Sequence, residues 1–139
     1  EKICYFISSP LVNWHNIGHF EIRNSVKLEK FAKFCQILTQ EIKKLKTKGI
    51  TRAELKLMKE HILARLDVIS DNYFYLIHRY AKEMLYLPKP IELDEKRFGY
   101  TAVTLEDVQA VANRIFHPDR INFSLIGPEV DTDRLELDI

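Results

Sequence analysis

The chain begins with a period of two and then changes to a period between three and four. Residues 3–9, "ICYFISS", are rich in β-branched and aromatic side chains and predict a strand, which Pro10 ends. "LVNWHN", residues 11–16, is polar and irregular and predicts a loop. Residues 17–23, "IGHFEIR", alternate again. Ile17, His19 and Glu21 share one face and Gly18, Phe20 and Ile22 the other, so the two runs predict an antiparallel hairpin. From Val26 the spacing lengthens. Leu28, Phe31, Cys35, Leu38, Ile42 and Leu45 step by three and four along one face of a helix. Gly49 ends that helix, because a residue without Cβ takes the left-handed C′ conformation at little steric cost.

Thr51 and Glu54 stand at the spacing of a capping box, and Ile50 and Leu55 at that of a hydrophobic staple. The stripe that follows is Leu55, Met58, Ile62, Leu66, Ile69, Tyr73, Ile77, Tyr80 and Met84. It predicts one long helix over residues 51–87, with a kink expected at "SDN", residues 70–72. The aromatic run Tyr73, Phe74, Tyr75 lies in this stripe and is expected in the core. Pro88 and Pro90 stop the helix. A short helix is expected over residues 92–98. Thr104 with Asp107, and Val103 with Val108, repeat the start signal of a last helix. Val108, Val111, Ala112 and Ile115 form its buried face, and "HPD" ends it. "RINFSLIG", residues 120–127, alternates Ile121, Phe123 and Leu125 and predicts a closing strand. The acidic residues 129–139 are expected to form a loosely ordered tail.

This order predicts an α+β fold: an antiparallel β-sheet with helices packed on one face. The 139 residues suffice for one domain or a domain fragment. The chain starts at Glu1 rather than Met, and a fragment or processed chain is therefore expected.

Composition narrows the partners. Lys plus Arg total 21 against 20 for Asp plus Glu, a net charge of +1, so neither nucleic acid nor an anionic membrane is expected. No apolar run approaches the length of a membrane span. Cys4 and Cys35 lack C-x-x-C spacing, and Cys35 lies on an apolar helix face as a free, buried thiol. This favours a reducing compartment, the cytoplasm.

The one stretch that suggests metal chemistry is "HNIGH", residues 15–19. Two histidines four apart on a helix can share a zinc ion. Here Gly18 stands where the inverted zinc motif needs Glu, and Asn16 where H-E-x-x-H needs it. In the hairpin reading His15 lies in the turn and His19 in a strand, so the helical geometry does not arise.

Several stretches, taken in order, resemble the second half of one structural domain of the pitrilysin/insulinase-type zinc metallopeptidases, the inverzincins. "GITRAELKLMKEHILARLD" is similar to the family's G-[VI]-T-x-x-E-L-x-x-x-K segment through Gly49, Ile50, Thr51, Glu54, Leu55 and Lys59. "AVTLEDVQAVANRIF" is similar to its V-T-x-x-D-V-x-x-[VA]-A segment through Val103, Thr104, Asp107, Val108 and Ala112. "NFSLIGP" resembles its closing strand. "EKICYFISS" with "GHFEI" resembles the hairpin after its R-E-x-x-G-L-x-Y motif.

The resemblance covers the chain to about Pro128. It implies the C-terminal portion of a zinc endopeptidase, with H-x-x-E-H, the general base and the third ligand all in a first half that this sequence does not include. It implies no cofactor held by this chain, with zinc in the full-length enzyme or its partner domain. The implied partners are a first-half or partner peptidase-like domain and a peptide or unfolded protein substrate, bound at a sheet edge. Tyr5 matches the family's chamber Tyr, while the preceding Arg has no counterpart. In the family's non-catalytic partner domain that phenol reaches the substrate and hydrogen-bonds the developing oxyanion. Tyr5 is thus a catalytic candidate on condition that the chain comes from such a domain. The alternative is a scaffold or partner subunit that kept the fold without metal. On either reading the chain alone is expected to be inactive.

Overall fold

A computed structural model describes residues 3–128. The expected tail at 129–139 lies outside the described residues. The fold is α+β. Its strands are β1 (Cys4–Ser8), β2 (Leu11–Asn13), β3 (Gly18–Phe20) and β4 (Arg23–Val26). Its α-helices are α1 (Phe31–Lys48), α2 (Arg52–Ser70), α3 (Tyr73–Tyr86), α4 (Leu93–Ala102) and α5 (Leu105–Ile115), with 3-10 turns at Leu28–Lys30 and Pro118–Arg120. The described residues form two compact units. One holds the chain up to Gly49 and from Gln109 onward, and the other holds Ile50–Val108.

In the first unit a single hairpin is divided into two antiparallel ladders. β1 pairs with β4 (Ile7 opposite Asn24) and β2 with β3 (Val12 opposite His19). Pro10 has no N–H to give a ladder, but its carbonyl accepts the Glu21 N–H at 3.0 Å and joins the two halves. The Trp14 N–H reaches the Ile17 carbonyl at 2.8 Å and closes the turn. The predicted hairpin forms, but its turn is tighter than the sequence suggested. Leu11–Asn13 is strand rather than loop, and β1 therefore pairs with Arg23–Val26.

α1 lays Phe31, Phe34 and Cys35 against Ile3, Cys4 and Val26 from this ribbon, which makes the core of the unit. Gly49 ends α1 with φ 68° and ψ −158°, and its N–H bonds to the Leu45 carbonyl at 3.0 Å. The positive φ was expected, but the ψ belongs to a region that only glycine occupies readily, rather than to the left-handed helix. The Gln109 amide donates to the Lys46 carbonyl at 3.0 Å, satisfying an open acceptor of the last turn of α1.

The closing strand expected at 120–127 does not form. Pro118–Arg120 makes a 3-10 turn, and residues 121–126 run on without a ladder. Period-two alternation makes one-sided burial feasible, but a strand also needs a neighbour to bond. The segment is held through aromatic rings: Phe123 lies 6.0 Å from Phe31, and Phe116 meets Phe20 edge-on at 5.7 Å.

In the second unit the expected capping chemistry is in place. The Thr51 hydroxyl accepts the Glu54 N–H at 3.2 Å while the Glu54 carboxylate accepts the Thr51 N–H at 2.7 Å. Thr104 and Asp107 repeat this at 3.1 and 2.9 Å. The long helix breaks where "SDN" predicted: α2 ends at Ser70, and the Asn72 side chain accepts the Tyr75 N–H at 3.0 Å to start α3. α4 runs to Ala102, beyond the expected 92–98. Lys59 on α2 donates to the Thr101 carbonyl at 2.6 Å, an arrangement favoured by the negative end of α4.

The apolar stripe does not stay inside past this break. Tyr73 and Phe74, expected in the core, are 79% and 82% exposed, and Ile77, Met84 and Leu85 are exposed with them. Residues 73, 74, 77, 81, 84 and 85 share one face at helical spacing. The inward side of α3 instead carries Arg79, 8% exposed, and Glu83. The reason is the proline segment that follows. Residues 87–91 come back along α3, and the buried Ile91 peptide groups need partners. Arg79 donates to the Ile91 carbonyl at 2.9 Å, and Glu83 accepts the Ile91 N–H at 2.9 Å and Lys96 Nζ at 2.6 Å. Arg79 Nε and Nη1 make no hydrogen bond among the described residues. The guanidinium lies 4.3 Å from the centre of the Tyr80 ring, which faces it with negative charge density.

Burial pushes the Glu83 carboxyl pKa up, but the Lys96 ammonium, the Ile91 N–H and the Arg79 charge outweigh it and hold it below the usual glutamate value. A carboxylate with a depressed folded pKa contributes stability that is present above its unfolded pKa and is lost as pH falls through the folded one. Glu83→Ala is expected to destabilise the fold by about 3 kcal/mol at neutral pH, because it leaves a buried guanidinium unpaired. The difference from the parent should shrink as pH drops below the ordinary glutamate range. Urea unfolding at several pH values measures this, and a pH-independent difference would contradict it. Gly49→Ala is expected to cost about 1–3 kcal/mol through its backbone conformation alone, read as a lower urea midpoint with unchanged slope.

Candidate functional site

Tyr5, the residue singled out for chemistry, is the extra residue of a bulge in β1. The register runs from Cys4 opposite Val26 to Phe6 opposite Ser25 and leaves Tyr5 without an opposite number. A bulge turns its side chain off the pleat, and Tyr5 is 74% exposed, outside the core that Cys4 joins. Phe6 and Ile7 beside it are also exposed. Among the described residues β1 pairs on one side only, so Tyr5 sits on a strand whose other edge has no partner there, with an apolar surface.

"HNIGH" lies at the other end of the hairpin. His15 is inside the turn closed by Trp14 and Ile17, and His19 is in β3. A Cβ on Gly18 would stand 2.5 Å from Asn13 Oδ1 and 3.0 Å from the Val12 carbonyl, which accounts for glycine between the two histidines. The His19 ring lies tilted against Trp14, centroids 5.3 Å apart, and its Nε2 bonds to Glu21, which also accepts from Arg23. Arg23 first and His19 second hold the Glu21 carboxyl below its ordinary pKa. The other histidines stand apart: His61 on α2, His78 on α3, and His117 accepting the Asp119 N–H at 3.4 Å. Among the described residues no three His, Cys, Asp or Glu side chains are grouped so as to hold a metal ion.

The first unit also contains a cavity of about 460 Å³ that the sequence did not announce. Phe34, Cys35, Leu38 and Ile42 of α1 line it with Phe116 and Phe123, while Asn13, His19, Asn122, Arg114 and Arg120 supply its polar lining. Burial pushes the Cys35 thiol pKa up, which makes it a packing residue rather than a nucleophile. The signal available in the sequence was "NRIFHPDRIN", two arginines bracketing apolar residues, but no local pattern told which face they would share.

The chain matches no family model, and no curated protein matches it. Among the described residues no helix is long and apolar enough to cross a membrane.

The hairpin geometry makes a firm expectation for the histidines. Purified, tag-free chain titrated with zinc should hold no stoichiometric ion. One tightly bound zinc per chain, lost in a His15→Ala, His19→Ala double variant, would overturn this account of the hairpin.

Proposed function

We propose that this chain is the C-terminal, non-zinc-bearing portion of a pitrilysin/insulinase-like zinc metalloendopeptidase, where it helps to build the substrate chamber and to bind peptide. The observation that carries this reading is the outward apolar face of α3 on Tyr73, Phe74, Ile77, Met84 and Leu85. A helix with apolar residues outside and a satisfied polar network inside is a helix made to be covered on both sides. A first-half or partner peptidase-like domain is the cover that the motif order suggests. The exposed edge of β1 gives a second place at which a strand of such a domain, or of a peptide, adds to the sheet.

On this reading the metal and the general base come from another segment or chain; among the described residues no three His, Cys, Asp or Glu side chains are grouped so as to hold a metal ion. What this chain offers is the phenol of Tyr5, exposed on the bulge, as a hydrogen-bond donor to a substrate oxygen. Both cysteines are free, and we read the compartment as the cytoplasm.

The test joins the chain to the sequence that precedes it in its gene product. An upstream H-x-x-E-H with a further Glu and zinc-dependent peptide cleavage are expected. Tyr5→Phe should then lower turnover more than it raises KM, because the bond strengthens in the transition state. An upstream segment without the motif, and a complex that assembles but cleaves nothing, would replace this reading with the metal-free scaffold subunit.

A further inference from the structure

The cavity of the first unit has the composition of a binding site rather than of a packing fault. Its floor is apolar, from Phe34, Leu38 and Ile42 to Phe116 and Phe123, and its volume of about 460 Å³ is in the range of ligand pockets. Among the described residues no Asp or Glu lines it. Arg114 and Arg120 do, both are exposed, and no carboxylate among the described residues pairs with either. Two unpaired guanidiniums beside an apolar floor favour a ligand with an apolar body and a carboxylate.

A second feature selects the kind of ligand. Residues 121–123 form part of the wall and run without a ladder; the Ile121 N–H bonds to the Pro118 carbonyl at 3.4 Å, while the backbone groups of Asn122 and Phe123 make no ladder among the described residues. β2 and β3 also contribute to the lining and, among the described residues, pair only with each other, and Asn13 and Asn122 add carboxamides that suit a peptide backbone. A simple fatty acid would leave those backbone groups without partners.

We propose that this cavity binds an extended peptide segment in which bulky apolar residues are flanked by acidic ones. The apolar side chains fill the floor, the acidic ones meet Arg114 and Arg120, and the peptide backbone pairs along Asn122 and Phe123. The inference deepens the peptide-binding part of the proposed function and rests on it, giving that function a preference for acidic, apolar segments.

The test uses the 139-residue chain and its sole tryptophan, Trp14, whose ring lies against that of the cavity residue His19. Trp14 fluorescence is titrated with a blocked peptide of sequence Ala-Glu-Phe-Leu-Glu-Ala, with the same peptide carrying Lys for Glu, and with dodecanoate. The acidic peptide should give a saturable change, weakened about tenfold by the lysine exchange and about tenfold by Arg114→Glu with Arg120→Glu. These arginines are exposed, and an unchanged melting curve confirms that the double variant folds. Added salt should weaken the parent complex and not the variant's. Equal affinity for both peptides, an indifferent double variant, binding of dodecanoate alone, or no binding at all would overturn the proposal. Reconstituted cleavage without charge preference at the cavity defeats this inference alone. Charge-selective binding by the chain, together with a gene product that carries no zinc-bearing segment or partner, defeats the peptidase reading alone.

Discussion

Glu83 decides which way α3 faces. Its carboxylate holds Lys96 and the Ile91 N–H, while Arg79, one turn earlier, holds the Ile91 carbonyl. These bonds answer a backbone need created by Pro88 and Pro90, which bend the chain back along the helix. A peptide group buried there without a partner would cost about 1–3 kcal/mol, so the charged side of α3 turns inward and the apolar side turns out. The break at Asp71 and Asn72 is what allows this, since it frees α3 from the phase of the stripe on α2.

The apolar surface left outside follows from that choice. Within the first unit the buried core is small, centred on Phe31, Phe34 and Cys35, and β1 leaves Tyr5, Phe6 and Ile7 exposed. Within the second, Tyr73, Phe74, Ile77, Met84 and Leu85 of α3 form one exposed face. Scattered apolar residues at a surface are ordinary, whereas an apolar helix face is what the proposed partner domain would cover. The proposed place of the chain in a larger peptidase and the proposed peptide cavity are separate uses of separate surfaces.

Local chemistry was legible in the sequence because its causes are local. Thr51 with Glu54, Thr104 with Asp107, Gly49 and "SDN" each set an element boundary through a few neighbouring atoms, and each boundary falls where those atoms dictate. The residues that depend on long-range partners were not legible. Tyr73 and Phe74 sit in a proper apolar stripe, yet a contest between that stripe and the needs of Ile91 was invisible in the pattern. Residues 121–126 alternate as a strand should, but no pattern within them reports whether a neighbouring strand is there to pair. Tyr5 was marked by resemblance, whereas its bulge comes from the register of β1 on β4. Arg114 and Arg120 come to one cavity only because α5 ends and the chain turns at Pro118.

α3 is turned with its apolar face outward, and thiol labelling reads this directly. With Cys4 and Cys35 replaced by alanine, single cysteines are placed at Ile77 on the outward face and at Leu76 on the half-buried one. Native-state labelling should be fast for Ile77→Cys and slowed for Leu76→Cys, with both rates equal once the chain is unfolded in urea. Fast labelling at Leu76→Cys with protection at Ile77→Cys would mean that the apolar stripe faces the core after all, and would contradict the account.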